Sequence, residues 1–314
     1  MFNQTRIFIF LALTLIACND QEEHNVSNQI EPIFEFLTPD QTKISFQNEV
    51  NETESFNFLL YEYLYNGAGV AIGDINNDGL DDIYFSGNTT QNHLYLNKGD
   101  FIFEDITLPS GTDGGRGFKT GVTMMDINND GYLDIYVCKS ALANRDLRAN
   151  ILYVNNGDLT FSDRAKEYGL DDMSYSTQAY FFDSDLDGDL DLYLLNHPAN
   201  HKESNKINLE MNASGELVQA KPKSYDFQSD RFYENIGDQF IDLTESAGLL
   251  NFSFGLSTNI FDINNDGLLD LYVCNDYIGS DQLLINSGQN KFIDKFASYF
   301  SHSSFSSMGS DNAD

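Results

Sequence analysis

A nine-residue acidic motif restricts the fold of this chain more than any other feature, because four copies of it recur at long intervals. The copies read DINNDGLDD, DINNDGYLD, DSDLDGDLD and DINNDGLLD, and they begin at Asp74, Asp126, Asp183 and Asp262. Their first residues are 52, 57 and 79 positions apart, a spacing typical of an array of similar supersecondary units. The sequence therefore predicts a fold built from repeated units.

A second motif, Asn-x-Gly followed by Phe-x-Asp, lies after each acidic motif. Asn followed closely by Gly is typical of a hairpin turn, and the apolar residues around both motifs predict strands. One unit thus contains two hairpins, or four strands in about fifty residues, which indicates a blade of a β-propeller and an all-β fold. The Asn-x-Gly turns begin at Asn97, Asn155, Asn235 and Asn286.

The residue types of the acidic motif suit a calcium ion. Side chains at positions 1, 3 and 5 bring oxygen atoms towards one centre, glycine at position 6 permits a sharp bend, and positions 7 and 9 offer a carbonyl and a carboxylate. Hard oxygen ligands in this number favour Ca²⁺ over a transition metal. Without a cation, the carboxylates would repel one another and raise each other's pKa. Asx turns alone are the alternative, which four near-copies of the ligand set disfavour.

The EF-hand loop begins in the same way, but it needs an acidic residue at position 12 and a helix on each side. Position 12 is apolar in all four copies, and the residues around it favour a strand. The sequence therefore predicts the β-hairpin form of the loop. The four residues at position 12 are Phe85, Val137, Leu194 and Val273.

The stretch GVAIGDINNDG, residues 69–79, resembles the FG-GAP/VCBS repeat of integrin α-subunits, cartilage acidic protein and the bacterial ASPIC/UnbV group. The resemblance extends from about residue 45 to the end of the chain. It implies a β-propeller, usually of seven blades, whose acidic loops hold Ca²⁺, here at about four sites with one in each blade loop.

The same resemblance implies the ligands of these sites, while Asp81 is expected to face outwards. The side-chain ligands would be Asp74, Asn76, Asp78 and Asp82; Asp126, Asn128, Asp130 and Asp134; Asp183, Asp185, Asp187 and Asp191; and Asp262, Asn264, Asp266 and Asp270. The backbone ligands would be Leu80, Tyr132, Asp189 and Leu268.

The charge of the chain bears on its partners, and its cysteines bear on disulfide formation. A formal net charge of −32 with only 17 Lys and Arg residues argues against nucleic acid, because phosphate contacts need clustered basic side chains. Cys138 and Cys274 occupy equivalent positions in two repeats, so we expect two separate buried thiols and no disulfide.

The N-terminus has the features of an exported lipoprotein. Residues 1–17 form a signal peptide with an apolar run too short to span a membrane stably. Leu-Ile-Ala-Cys resembles a lipobox, which makes Cys18 the lipid anchor; an ordinary cleaved signal peptide is the alternative. Residues 18–40 form an acidic tether similar to those of Bacteroidetes lipoproteins, and residues 41–314 form the propeller. These features predict a lipid-anchored protein of the bacterial outer membrane or cell surface.

Three further segments carry predictions. Residues 42–48 alternate like a strand that could complete a blade, and the aromatic stretch 56–65 indicates core packing.

The third unit has extra chain over about 197–226, which is either a candidate binding loop or a variable surface loop without function. Residues 306–314 resemble the strand before a fifth acidic loop, with Asp314 as its first ligand. Four blades and a partial fifth fall short of the usual ring, so we expect a propeller that is incomplete at its C-terminus. We expect the chain to be a fragment of a longer protein, because an unclosed propeller would leave open strand edges. The extra chain is basic through Lys202, Lys206, Lys221 and Lys223.

These features favour a binding or adhesion module over an enzyme. The spacing of His197 and His201 across Pro198 does not suit a helical zinc site, and the acidic clusters are accounted for by cation binding. The predicted function is a Ca²⁺-binding envelope propeller for a glycan or protein partner. The alternatives are the propeller part of a lyase-like polysaccharide-degrading enzyme and a structural spacer without ligand.

Overall fold

A computed structural model describes residues 34–206, 209–211, 215, 217–220, 227–237 and 239–313. The chain divides into two units, Met1–Leu37 and Thr38–Asp314, and every helix and strand of the described residues lies in the second unit. The predicted signal peptide and Cys18 lie outside the described residues. No helix in the described ranges is long and apolar enough to cross a membrane.

Four antiparallel sheets of four strands each form the second unit, and each sheet corresponds to one predicted repeat. Blades 1 and 2 follow chain order, whereas blade 3 is interrupted by a separate two-stranded hairpin. Blade 1 contains β1 Val70–Gly73, β2 Asp82–Phe85, β3 His93–Asn97 and β4 Phe103–Asp105, and blade 2 contains β5 Phe118–Met125, β6 Asp134–Ser140, β7 Ile151–Asn155 and β8 Phe161–Asp163. Blade 3 contains β9 Ser176–Phe182, β10 Asp191–Asn196, β13 Arg231–Asn235 and β14 Phe240–Asp242, with the extra hairpin β11 Leu209–Met211 and β12 Leu217–Gln219. Blade 4 contains β15 Phe254–Phe261, β16 Asp270–Asp276, β17 Gln282–Asn286 and β18 Phe292–Asp294.

The first strands of successive blades lie side by side, as in a propeller. The Thr120 hydroxyl donates to the Ser176 carbonyl at 2.8 Å, and the Thr177 hydroxyl donates to the Gly255 carbonyl at 3.3 Å. Gly121 is required at one such approach, because a Cβ there would lie 2.5 Å from the backbone carbonyl oxygen of Thr177 in the next blade. The predicted all-β blades are confirmed.

Hydrophobic side chains fill the space between adjacent sheets, which explains why single repeats would not be stable alone. The cluster between blades 1 and 2 includes Tyr84, Leu94 and Ile135, all fully buried. Corresponding clusters join blade 2 to blade 3 and blade 3 to blade 4. Cys138 and Cys274 are buried free thiols, as predicted.

Short helical turns connect the blades. Each of the four that follow an outer strand begins after a Phe-x-Asp motif, whose aspartate accepts the backbone N–H two residues later at 2.9 to 3.1 Å. The turns after outer strands are Thr107–Ser110, Ala165–Tyr168, Thr244–Ala247 and Phe296–Tyr299; the others are Pro39–Thr42, His201–Ser204 and the 3-10 turn Arg145–Leu147.

The prediction of a strand over residues 42–48 is wrong. Lys43 has a left-handed φ of 66° as the C-cap of Pro39–Thr42, and the following residues make no ladder hydrogen bonds. Phe46 instead stacks on Phe85 of blade 1 with ring centroids 4.9 Å apart. The alternating apolar residues of this segment pack against the blade. Their alternation has the same period as that of a strand, so the sequence pattern alone does not distinguish the two.

Residues 50–66 close the end of the blades opposite the acidic loops. Tyr61 and Tyr63 are buried beside Phe118 and Phe254, the first residues of β5 and β15. The Tyr63 hydroxyl donates to Asp276, the last residue of β16, at 3.2 Å. The prediction of core packing for this stretch is confirmed for its buried side chains, while Phe58, Leu59, Leu60 and Tyr65 are exposed.

The predicted strand over residues 306–314 is absent from the described part, 306–313. This segment makes contacts with blade 4, because the Ser307 N–H donates to the Asn275 carbonyl and the Ser310 hydroxyl lies 3.2 Å from the Cys274 sulfur. Asp314 lies outside the described residues.

A tyrosine in the second strand of each blade, buried in blades 1 to 3 and half-buried in blade 4, pairs with Asn or Asp just before the third strand. Blades 1 and 2 use asparagine, as in Asn150, whose amide donates to the Tyr136 hydroxyl at 3.1 Å. Blade 3 uses Asp230, which accepts from the Tyr193 hydroxyl and the Asn196 N–H, each at 2.7 Å. Burial raises the pKa of Asp230 to about 7, although these hydrogen bonds favour its ionised form.

We predict that Asp230→Asn removes a pH-dependent loss of stability. Between about pH 4 and 7 the folded protein retains a proton on Asp230 that the unfolded chain has released, so the free energy of unfolding falls as pH rises through this range. Each pKa unit corresponds to about 1.4 kcal/mol. Urea unfolding at a series of pH values should show a steeper decline for the wild type than for Asp230→Asn. The reciprocal Asn150→Asp should add such a decline, and parallel curves for all three proteins would contradict the assignment.

Candidate metal centre

The four acidic motifs form loops that join the first strand of each blade to the second. Their backbones bend alike, because position 4 has φ between 56° and 65° and glycine at position 6 has φ between 84° and 96°. Asparagine occupies position 4 in three loops and tolerates this conformation, whereas Leu186 adopts it in blade 3. Position 12 lies in the second strand of every blade, as the hairpin form of the motif predicts.

The aspartate at position 1 organises the bend through both of its oxygens. In blade 1, Asp74 Oδ2 accepts the Gly79 N–H at 2.7 Å and Oδ1 accepts the Asp78 N–H at 3.1 Å. Although partial burial alone would raise it, these amides hold the pKa of Asp74 below its usual value. Asp126, Asp183 and Asp262 make the same two contacts in their loops.

The side chains at positions 3 and 5 converge beside position 1. Asn76 Nδ2 lies 3.0 Å from Asp78 Oδ2, and the Asn128–Asp130 and Asn264–Asp266 pairs are 3.0 and 2.9 Å apart. The N–H of position 7 donates to the position 5 carboxylate in every loop. These bonds bring the predicted ligand residues to one place, while the role of the position 7 carbonyl stays a prediction.

Blade 3 has the densest concentration of negative charge. Asp183, Asp185 and Asp187 each offer a carboxylate oxygen, and these atoms lie within 4.8 Å of one another. Oxygens that share a Ca²⁺ lie about 2.3 to 2.6 Å from the ion, so ligands on opposite sides of it are about 5 Å apart. The residues therefore fit a calcium ion. Burial, followed by the charges of Asp187 and Asp191, raises the pKa of Asp189 to about 6.

The aspartate at position 9 is buried and connects the acidic loop to the second hairpin. Asp134 Oδ2 accepts the Ile127 N–H of its own loop at 3.0 Å, and Oδ1 accepts the Asn155 N–H of β7 at 2.8 Å. Burial, with a smaller contribution from neighbouring aspartates, raises the pKa of Asp134 to about 6. Asp82, Asp191 and Asp270 make equivalent pairs of bonds. These contacts give position 9 a structural function besides its predicted role as a ligand.

The first asparagine of each Asn-x-Gly turn is a functional residue that the sequence analysis missed. Asn155 Nδ2 donates to the Leu133 carbonyl of its own acidic loop at 3.1 Å and to the Ile75 carbonyl of the blade 1 loop at 2.9 Å. Asn286 likewise reaches the Ser184 carbonyl of the preceding blade at 2.7 Å. The invariable presence of asparagine at this position in all four repeats was the available signal.

Neighbouring acidic loops also contact each other directly. Asn77 Nδ2 of the first loop donates to the Gly131 carbonyl of the second at 2.9 Å. The Ser184 hydroxyl of the blade 3 loop donates to Asn290, in the second hairpin turn of blade 4, at 2.9 Å. Asp81 is exposed, as predicted. Together with the turn asparagines, these contacts connect the acidic loops in two pairs, blade 1 with blade 2 and blade 3 with blade 4.

Comparison with known proteins agrees with this geometry. Residues 74–137 match the family described as FG-GAP-like repeat, a segment that contains two acidic loops and the hairpin between them. Integrin alpha-8 of Gallus gallus is 35% identical over 105 residues, covering 29% of this chain and 10% of the integrin. Cartilage acidic protein 1 of Xenopus tropicalis is 39% identical over 69 residues, covering 22% of this chain and 11% of that protein.

A solved structure of a lectin from Agrocybe aegerita superposes with a TM-score of 0.39 at 17% identity, covering 71% of this chain and 50% of the lectin. Such a loose superposition has no bearing on ligands.

These matches confirm the predicted resemblance: residues 74–137 match the FG-GAP-like repeat, and the four sheets are blades of the β-propeller type. The matched segments span only about a tenth of the length of the integrin and cartilage acidic protein relatives.

We predict that Asn155→Ala destabilises the protein more than Asn235→Ala. Asn155 holds its own loop and the loop of blade 1, whereas among the described residues Asn235 Nδ2 donates only to the Leu190 carbonyl of its own blade, at 3.3 Å. Loss of the additional buried bond should cost about 1 to 3 kcal/mol in the free energy of unfolding, measured with urea. Equal losses for the two variants would show that the contact between blades contributes nothing.

Proposed function

We propose that the protein is a Ca²⁺-stabilised propeller of the bacterial envelope that acts as a binding module for a glycan or protein partner. The observation that carries the calcium assignment is the convergence of Asp183, Asp185 and Asp187 within 4.8 Å in a loop whose backbone the other three blades repeat. Carboxylates held this close are costly without a cation.

In this proposal positions 1, 3, 5 and 9 supply side-chain oxygens and position 7 supplies a carbonyl oxygen. A bound Ca²⁺ would supply positive charge that offsets the repulsion within each loop. Because Asn155 connects the loops of blades 1 and 2, and Asn286 those of blades 3 and 4, occupation of one site would also stiffen the other site of its pair. The ion would thus stabilise the array of blades, leaving partner binding to another surface.

The end opposite the acidic loops is the better candidate for that surface. Residues 50–66 and the extra chain of blade 3 meet there. The ring centroids of His201 and Tyr277 are 4.1 Å apart, and His201 Nδ1 lies 3.7 Å from Glu62 Oε1. Extra chain on a rigid scaffold is a frequent location for binding sites. Lys202 and Lys206 lie in this part, while Lys221 and Lys223 lie outside the described residues.

We predict that Asp78→Asn weakens Ca²⁺ binding and that Asp81→Asn does not. Both changes remove one negative charge from the first loop, but only Asp78 converges with positions 1 and 3. Calorimetric titration of the wild type should give about four sites, with one weakened in Asp78→Asn, and Ca²⁺ should raise the melting temperature after chelator treatment. A wild type that shows neither binding nor a shift would contradict the calcium role.

Lipid anchoring is tested separately at Cys18. When the full chain is produced in a bacterium that processes lipoproteins, we expect the wild type to partition into the detergent phase of a Triton X-114 extraction. Cys18→Ser should move to the aqueous phase, because the thiol that would receive the lipid is gone. Identical partitioning of the two proteins would contradict the anchor.

A further inference from the structure

Two arginines converge on a small cavity between blade 2 and the ends of the extra chain of blade 3. The cavity has a volume of about 240 Å³. Sites for drug-sized ligands typically measure about 300 to 1,000 Å³, so this cavity suits a single chemical group or one sugar unit. Its main lining residues are Arg145, Arg148, Tyr175 and Phe227.

Arg148 is fixed in place before any ligand binds. Its side chain is 2% exposed, and its Nε donates to the Met173 carbonyl at 2.9 Å while Nη1 donates to the Leu142 and Ala143 carbonyls. Its guanidinium carbon lies 4.1 Å from the centre of the Tyr175 ring. Within the described ranges, Nη2 donates to no protein acceptor. A guanidinium held this firmly would lose little conformational entropy on binding.

Arg145 supplies a second guanidinium from the exposed 3-10 turn. Its guanidinium carbon lies 4.2 Å from the centre of the Phe227 ring. No carboxylate among the described residues forms a salt bridge with Arg145 or Arg148. Burial lowers the pKa of Arg148, and the charge of Arg145 adds to this effect, whereas Tyr175 and Asp172 oppose it.

The charge of the whole molecule restricts what can enter. With a net charge of −32, most of the protein repels anions, and a polyacidic chain would be disfavoured over nearly all of its surface. A sugar that carries one carboxylate within an otherwise neutral molecule would meet that repulsion only weakly. Two guanidiniums can bind a single carboxylate through charge-assisted hydrogen bonds.

We propose that the cavity lined by Arg145 and Arg148 binds the carboxylate of an acidic sugar unit. This inference deepens the proposed binding role, because it names the class of glycan and the residues that recognise it. Arg148 would present a fixed donor, and Arg145 would close over the carboxylate from the exposed side.

The test compares methyl glucuronide with methyl glucoside, which differ in the carboxylate, by titration of the full chain followed by NMR. We expect the glucuronide to bind and the glucoside to bind at least about tenfold more weakly. Arg145→Ala should weaken glucuronide binding by about tenfold or more, as expected for one lost charge-assisted hydrogen bond. Arg164→Ala is the matched control, since Arg164 also lies over an aromatic ring but pairs with Glu167.

Several results would overturn the assignment. These are equal affinity for the two sugars, equal losses in Arg145→Ala and Arg164→Ala, or preferential binding of N-acetylglutamate amide, which would indicate a peptide ligand. Melting temperatures with and without Ca²⁺, measured on the same proteins, separate this test from the proposed function. Glucuronide binding without a Ca²⁺ response would contradict the calcium role alone, and a Ca²⁺ response without glucuronide binding would contradict this inference alone.

Discussion

The buried carboxylate at position 9 of each acidic loop is the interaction on which the blades depend. It accepts one N–H from its own loop and one from the following hairpin, so it fixes the loop and joins the two hairpins of the blade. Burying a charge is costly unless hydrogen bonds compensate for it, and burial raises the pKa of both Asp134 and Asp191 to about 6 in spite of these hydrogen bonds. In the proposed function, a bound cation would offset the remaining cost.

This constraint explains why the two motifs always occur together. The turn asparagine donates its backbone N–H to the position 9 carboxylate and its side-chain amide to the loop carbonyls. In blades 2 and 4 the same amide reaches the preceding blade, so loop geometry and blade packing are coupled. The acidic loops therefore determine the shape of one end of the blades, and in the proposed function this end also binds cations. The other end carries residues 50–66 and the extra chain of blade 3.

Much of this architecture could be predicted from the sequence, because the repeat spacing and the apolar residue at position 12 each exclude most alternatives. Phe85, for example, replaces the acidic residue of an EF-hand and lies in β2. The strand predicted over residues 42–48 is absent, because an alternating pattern does not distinguish a paired strand from a segment packed on a blade. The hydrogen bond from Asn155 to the loop of blade 1 joins residues that are far apart in the sequence. The contacts of Arg145 and Arg148 with aromatic rings do so as well. A local sequence pattern does not predict such contacts.

The most direct test of the account is the position of bound calcium in crystals grown with Ca²⁺, located by anomalous scattering. The account predicts a peak in each of the four acidic loops, about 2.3 to 2.6 Å from the side-chain oxygens at positions 1, 3 and 5. Loops that keep the hydrogen bonds described above but show no anomalous peak at saturating Ca²⁺ would contradict it.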